Sequence, residues 1–300
     1  MPSGILLLDK PPGLSSNAAL QRVRSLYDRE KAGHVGSLDP LATGMLPICL
    51  GEATKVAGDV LDGRKCYQFS VALGVRTATG DTEGEVIATA AVPVLTRAGL
   101  EATLSGFIGR QQQVPPMYSA LKRDGEPLYR LARAGVTVER AARDIELFAL
   151  SVISMSQASL DLELLCSKGT YVRVLAEDIA ARLGTCGHVS RLRRLYVEPF
   201  MSEPMHTLES LTQARSTGTG PALIPADRAL MHLSAVVLPP VAAERLRQGQ
   251  RVAAELLPPG TRVRLYGTAG EFLGVGTADG SGGVQPRRLL KAADSPVSAQ

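Results

Sequence analysis

Apolar and polar positions recur along this chain at strand and helix spacings. The run GILLLDK at 4–10 is apolar and is closed by Pro11, Pro12 and Gly13, which predicts a short buried strand. A helix follows, with Ser15 or Ser16 as N-cap and Leu20, Val23 and Tyr27 on one face. Residues 53–65 (ATKVAGDVLDGRK) predict another helix. In CYQFSVALG, Tyr67, Phe69 and Val71 alternate with polar neighbours as in a half-buried strand. GEVIATA at 84–90 predicts a strand, TRAGLEATLSGFIG a helix, and 145–154 and 158–166 two more strands. Between 171 and 183, Val172, Leu175, Ile179 and Leu183 share a helix face, and Gly184 supplies the stop. This order predicts an α+β fold with a mixed, largely antiparallel sheet flanked by helices. Regular βαβ alternation is missing, which argues against a dinucleotide-binding fold.

Two segments interrupt the pattern. Residues 111–143 hold Pro-Pro, many Arg and Lys and little strand alternation, so a long basic excursion from the sheet is expected there. ARSTGTGPALIP at 214–225 reads as a linker, and beyond it SAVVLP, RVRLYG and EFLGVGTA are short strands between Pro and Gly turns. The expected organisation is a domain over 1–230, a small β-rich domain over 231–291 and a disordered tail at 292–300.

Composition narrows the class only modestly. Three hundred residues at 45% hydrophobic content suffice for a large core. A net charge of +4 tolerates a polyanionic partner without demanding one. Cys49, Cys66, Cys166 and Cys186 form no CxxC pair, and the four histidines have no metal-ligand spacing, so neither a disulfide scaffold nor a metal site is expected. The N-terminal apolar run is far shorter than the roughly 7–15 residues of a signal peptide or the ~20 of a membrane span, which points to the cytoplasm and away from a membrane.

The candidate chemistry centres on GHVGSLDPLATG at 33–44, which surrounds one acid, Asp39. These are ordinary turn residues, and a surface turn is one reading. A constrained loop presenting a carboxylate is another, since Pro40 holds Asp39 towards extended backbone. A phosphate-cradling loop is a third, but its Lys-Ser/Thr is absent.

GHVGSLDPLATGMLPICLGEATK resembles the catalytic segment of the TruB-type pseudouridine synthases, G-H-x-G-T-L-D-P-x-A-T-G-x-L, with Ser37 in place of the usual Thr and its hydroxyl retained. LLLDKPPGLSS at 6–16, KCYQFSVALGVRTATGDTEG at 65–84, QVPPMYSALKRDGEPLYRLARAG at 113–135 and CSKGTYVRVLAEDIAARLGTCGHVSRLRR at 166–194 are similar to four further family segments in the same order. The third of these resembles a thumb-like insertion, and the C-terminal part resembles a small PUA-like RNA-binding domain.

The resemblance implies an isomerase that turns uridine 55 of the tRNA TψC arm into pseudouridine, with no cofactor and no metal. It implies tRNA as partner through the T-arm, no protein partner, and a monomer. Asp39 then matches the catalytic carboxylate and Arg173 the arginine that pairs with it. Tyr67 matches a tyrosine able to stack on the flipped base and to move a proton at C5. His34 matches a contact to the displaced nucleotide, Lys10 a group near the site floor, and Asp81 an RNA or base contact. Lys122, Arg123, Arg130 and Arg133 on the insertion, and Arg191, Arg193 and Arg194 in RLRR, are expected to grip T-arm phosphates. A tRNA-binding or folding factor using the same cleft without chemistry is the competing class. The trio of Asp39, Tyr67 and Arg173 exceeds what binding alone requires.

Overall fold

The computed structural model describes residues 3–123 and 125–291; the tail expected at 292–300 lies outside the described residues. The chain opens with β1 (Gly4–Lys10) and α1 (Ser16–Leu26), whose N-cap is Ser15, with its hydroxyl accepting from Ala18 N. Next come β2 (Ala32–His34) and β3 (Thr43–Leu50), a 3-10 turn at Gly51–Val56, and α2 (Ala57–Asp62). The helix expected over 53–65 is therefore part 3-10 and part α. Then follow β4 (Lys65–Leu73), the ribbon of β5 (Val75–Thr77) and β6 (Val86–Thr89), α3 (Arg97–Ser105) and β7 (Gly109–Gln113).

The basic excursion carries a tiny hairpin, β8 (Lys122–Arg123) and β9 (Glu126–Pro127), and the single-turn helix α4 (Leu128–Arg133). The chain returns through β10 (Arg143–Met155), β11 (Ser159–Cys166), α5 (Val172–Arg182) and β12 (Gly187–Val197). Because β7 reaches Gln113 and β10 begins at Arg143, the excursion is 114–142, shorter at both ends than expected.

The main sheet has eight strands in the order β1-β3-β12-β4-β11-β10-β7, with β2 also on β3. All its pairings are antiparallel except β12 with β3, as the sequence pattern predicts. One edge of β3 is shared: β12 pairs at Thr43 and Gly44, and β2 pairs at 48–50. Pro47 sits between the two partners, where its missing N–H leaves no donor unmet and its carbonyl accepts Val35 N at 2.9 Å. The loop of Asp39 therefore leaves and re-enters the sheet at the gap between two strands.

On one face, Tyr67, Phe69 and Val71 of β4, Leu192 of β12 and Leu162 and Leu164 of β11 pack with Leu20 and Val23 of α1 and Leu175 and Ile179 of α5. Under β1 and β3, Ile5, Leu7, Met45 and Val197 form a second core that takes in Val275 from the C-terminal part.

After β12 come α6 (Leu208–Thr217), a 3-10 turn at Ala226–Leu230, β13 (Ser234–Leu238), α7 (Pro240–Arg247), β14 (Val252–Ala253), β15 (Arg262–Gly267), β16 (Phe272–Ala278) and β17 (Gly283–Leu289). The last five strands form their own sheet, β13-β15-β16-β17-β14. The linker expected at 214–225 is not a free tether. Its first residues finish α6, and Ile224 bonds both ways with Ile5 of β1 at 2.7 and 2.9 Å. Arg262–Asp59 at 2.7 Å and Arg288 Nη1 on Lys55 O at 2.7 Å tie the five-stranded sheet to α2 and to the 3-10 turn before it. No helix among the described residues is long and apolar enough to cross a membrane.

Candidate active site

The loop at 33–44 is irregular in sequence but is held from below by the segment KPPGLSS. Lys10, fully buried at the end of β1, donates from Nζ to Pro11 O (2.8 Å), Leu14 O (2.8 Å) and Pro40 O (3.2 Å). Gly13 N also donates to Pro40 O at 2.8 Å. Ser16 Oγ bonds Leu38 twice, donating to its carbonyl (3.0 Å) and accepting from its N–H (2.7 Å). The residues on either side of Asp39 are thus fixed by hydrogen bonds to α1 and the turn before it. Gly44 is required here: its φ is +95°, and an added Cβ would lie 2.1 Å from Arg194 O.

Arg173, in the first turn of α5, reaches this loop with a side chain only 4% exposed. Nε lies 2.9 Å from Asp39 Oδ2, and Nη2 donates to Asp39 Oδ1 at 3.2 Å, a two-point fork. Nη1 donates to Thr79 O and Nη2 to Tyr118 O, both at 2.6 Å. The guanidinium is thereby locked by the loop, by the 77–84 turn and by the root of the excursion. Burial pushes the Asp39 carboxyl up from the usual carboxylate range; Arg173 opposes that push and Asp81 adds to it. Asp39 keeps 37% of its side chain exposed, so the clamped carboxylate still faces an opening.

Tyr67 on β4 stands directly across from Arg194 on β12. Its hydroxyl is raised by burial and by the charge of Asp39, and held back by Arg194. Arg194 is 1% exposed, with Nε on Met45 O and Nη2 on Gly36 O, each at 2.7 Å. Burial lowers Lys10 to about 8, with Asp39 acting against it. His34 is lowered by burial and by Arg194, and its Nδ1 is buried without a partner.

The structure therefore brings Arg173, Lys10 and Tyr67 around Asp39, with His34 within reach of Arg194, and it revises several other expectations. Asp81, read as an RNA contact, is 3% exposed and is spent inside its own turn: it accepts from Thr79 Oγ1 (2.5 Å) and Glu83 N (3.1 Å), with Arg173 Nε 3.7 Å away. Arg194, read as a phosphate grip, is closed off by the two carbonyls it bonds. Arg191 and Arg193 alternate with Leu192 and Arg194, so they project from the opposite sheet face. Arg193 is forked onto Asp9 at 2.9 Å through both oxygens. Lys122, Arg123, Arg130 and Arg133 are exposed on the excursion as expected, with Arg123 Nη1 on Glu139 O and Arg133 over the Tyr129 ring.

Two site-building residues escaped sequence reasoning. One is Ser16, considered only as a helix cap. The other is Gln113, the last residue of β7, which accepts from Tyr171 N (2.8 Å) and donates to Tyr171 O (3.2 Å), two residues before Arg173. A buried Gln ending a strand beside Pro-Pro was the available signal.

Comparison with known proteins agrees along the chain. Residues 24–172 match the TruB family pseudouridylate synthase (N terminal domain), 173–239 the tRNA pseudouridylate synthase B C-terminal domain, and 234–290 the pseudouridine synthase II TruB C-terminal region. The chain is 49% identical over 292 residues to tRNA pseudouridine synthase B of Chromohalobacter salexigens, covering 97% of this chain and 95% of that one. It is 48% identical to the proteins of the same name from Xanthomonas euvesicatoria (96% and 94% covered) and Nitrosococcus oceani (96% and 94%). Among solved structures, a Cbf5-Nop10-Gar1 complex superposes with a TM-score of 0.71 at 24% identity, covering 93% of this chain and 79% of that one. An H/ACA RNP bound to a substrate RNA containing 2'-deoxyuridine superposes at 0.72 and 20% identity, covering 97% and 86%; these two likenesses concern the fold. With 49% identity over nearly the full length of a curated relative and family matches from residue 24 to residue 290, the chain belongs to the TruB family of pseudouridylate synthases.

Proposed function

We propose that this protein isomerises uridine 55 in the TψC arm of tRNA to pseudouridine. The observation that carries the reading is the Arg173 fork on Asp39, which aims a half-open carboxylate within electrostatic reach of Tyr67. Near full-length identity of 45–49% to tRNA pseudouridine synthases B supports the substrate.

The reaction breaks C1′–N1, forms C1′–C5, removes a proton from C5 and places one on N1. Atoms and electrons balance without an oxidant, a reductant or a metal. Asp39 supplies the carboxylate that engages the nucleotide once it is pulled from its stack, and Arg173 keeps that carboxylate ionised and aimed as water is excluded. Tyr67 lines the pocket for the extruded base and offers its oxygen for the proton on C5. The exposed Lys122, Arg130 and Arg133 hold T-arm phosphates, and the five-stranded C-terminal sheet adds RNA contact area. The protein acts as a single chain in the cytoplasm, where its substrate is.

The test is incubation of purified protein with an unmodified tRNA transcript carrying tritium at uridine C5. Tritium release with pseudouridine mapped to position 55 is expected. Tight binding without release would instead make the protein an RNA-binding or folding factor.

A further inference from the structure

Arg194 is the largest fully buried residue among the described residues, and the proposed chemistry leaves it without a task. An ionised guanidinium taken out of water is costly unless each of its donors finds a partner. Its partners come from three elements of the site. Nε donates to Met45 O on β3, and Nη2 to Gly36 O in the loop of Asp39. Nη1 lies so near Gly36 that an added Cβ there would be 3.3 Å away, and φ at Gly36 is +70°, so the loop is shaped around the guanidinium. The residue directly opposite Arg194 across the β12–β4 pair is Tyr67, on the same sheet face, with both side chains buried. Directly opposed residues in antiparallel strands hold their Cβ atoms about 4.5–5.5 Å apart, within contact for side chains of this length.

We propose that Arg194 is a positioning residue for Tyr67, its N–H donating to the phenol oxygen so that the oxygen is held at the cleft and can release its own proton to solvent before it takes the one on C5. An arginine has donors only, so the tyrosine oxygen must accept, and its O–H bond is turned away from Arg194. The same charge makes loss of that proton easier than burial alone would allow. Burial, the Cys166 thiol and Asp39 oppose ionisation of Tyr67, whereas Arg194 favours it. The role rests on the reading of Tyr67 as the group that handles the base proton.

The test pairs two readouts. The ionisation midpoint of Tyr67 is followed by NMR of ring-labelled tyrosine, assigned with Tyr67→Phe, in wild type, Arg194→Gln and Arg194→Lys. The midpoint should rise by at least about one unit in Arg194→Gln and by less in Arg194→Lys. Single-turnover pseudouridine formation should slow by at least about tenfold in Arg194→Gln, with tRNA affinity unchanged and partial rescue in Arg194→Lys. Tyr67→Phe combined with Arg194→Gln should be no slower than Tyr67→Phe alone. An unmoved midpoint, or losses that multiply in the double variant, would overturn the proposal. If Tyr67→Phe keeps full activity, the reading of Tyr67 fails, while the midpoint still tests the contact. Should the Arg194 variants not fold, the wild-type Arg194 guanidinium protons decide: they should exchange slowly, lie close to the Tyr67 ring and shift as Tyr67 ionises, and signals that do not shift count against the proposal.

Discussion

Residues 33–44 and 114–142 carry the same turn residues, Gly, Ser and Pro, and either would pass for a surface loop. They are held in opposite ways. The shorter loop has Val35, Leu38, Ala42 and Gly44 buried and is tied by Lys10, Gly13, Ser16, Arg173 and Arg194. Among the described residues of the longer segment, only Pro115, Ser119 and Leu128 are buried, and its tie to the site is the Tyr118 carbonyl under Arg173. A reacting carboxylate must be fixed within a fraction of an ångström, whereas a surface that grips phosphates works through charge at longer range. The difference between the two segments lies in what anchors them rather than in their composition.

That contrast orders the experiments. Arg173→Lys keeps the charge but loses the fork and the two carbonyl contacts, so turnover should drop about 100-fold while tRNA affinity holds; single-turnover rates and filter binding measure the two. Ser16→Ala leaves Leu38 N and O without their partner beside Asp39. It should lower stability by about 1–3 kcal/mol in urea unfolding and slow turnover, which separates an anchored loop from a merely covered one.

The alkaline side of the rate profile should follow Lys10, which loses its charge near 8. With the unfolded value at 10.5, the unfolded chain holds a proton between about 8 and 10.5 that the folded chain has released. The burden of burying Lys10 on folding is therefore full below 8 and shrinks as the pH rises to 10.5, so the Lys10 contribution to stability climbs where the rate falls. Lys10→Arg, which stays charged, should move the alkaline limb upward in the pH–rate profile. The smallest effects belong to the excursion. Arg130→Ala and Arg133→Ala should each raise KM a few-fold and flatten its salt dependence by about one phosphate contact, without changing the unfolding midpoint. Arg191→Ala should leave KM within about twofold, since Arg191 projects from the sheet face opposite Tyr67.

Much of the scaffold could be read from alternation, because β11 and α5 each bury a single face. β3 and β12 could not. TGMLPICL is buried on both faces and contains a proline, so it shows neither alternation nor a strand-like composition. In β12 the alternation is written in arginines: Arg191 and Arg193 face one way and Arg194 the other, and a run of like charges resembles a solvated patch until the strand separates them. Asp39, Tyr67 and Arg173 were recognisable through their resemblance to a family, since each alone is an ordinary turn acid, core tyrosine or helix arginine. Ser16 and Gln113 were not, because their partners, Leu38 and Tyr171, lie 22 and 58 residues away and hydrogen bonds of that span leave no local pattern.

The most direct test of the account is single-turnover tritium release from uridine-labelled tRNA by Asp39→Asn, with binding measured on the same sample. The side chain keeps its shape and loses the charge that Arg173 holds. Release should fall by at least about 1,000-fold, some 4 kcal/mol of barrier, with tRNA affinity within a few-fold of wild type. Release at near wild-type rate would contradict it, since the chemistry would then not depend on the carboxylate around which the loop is built.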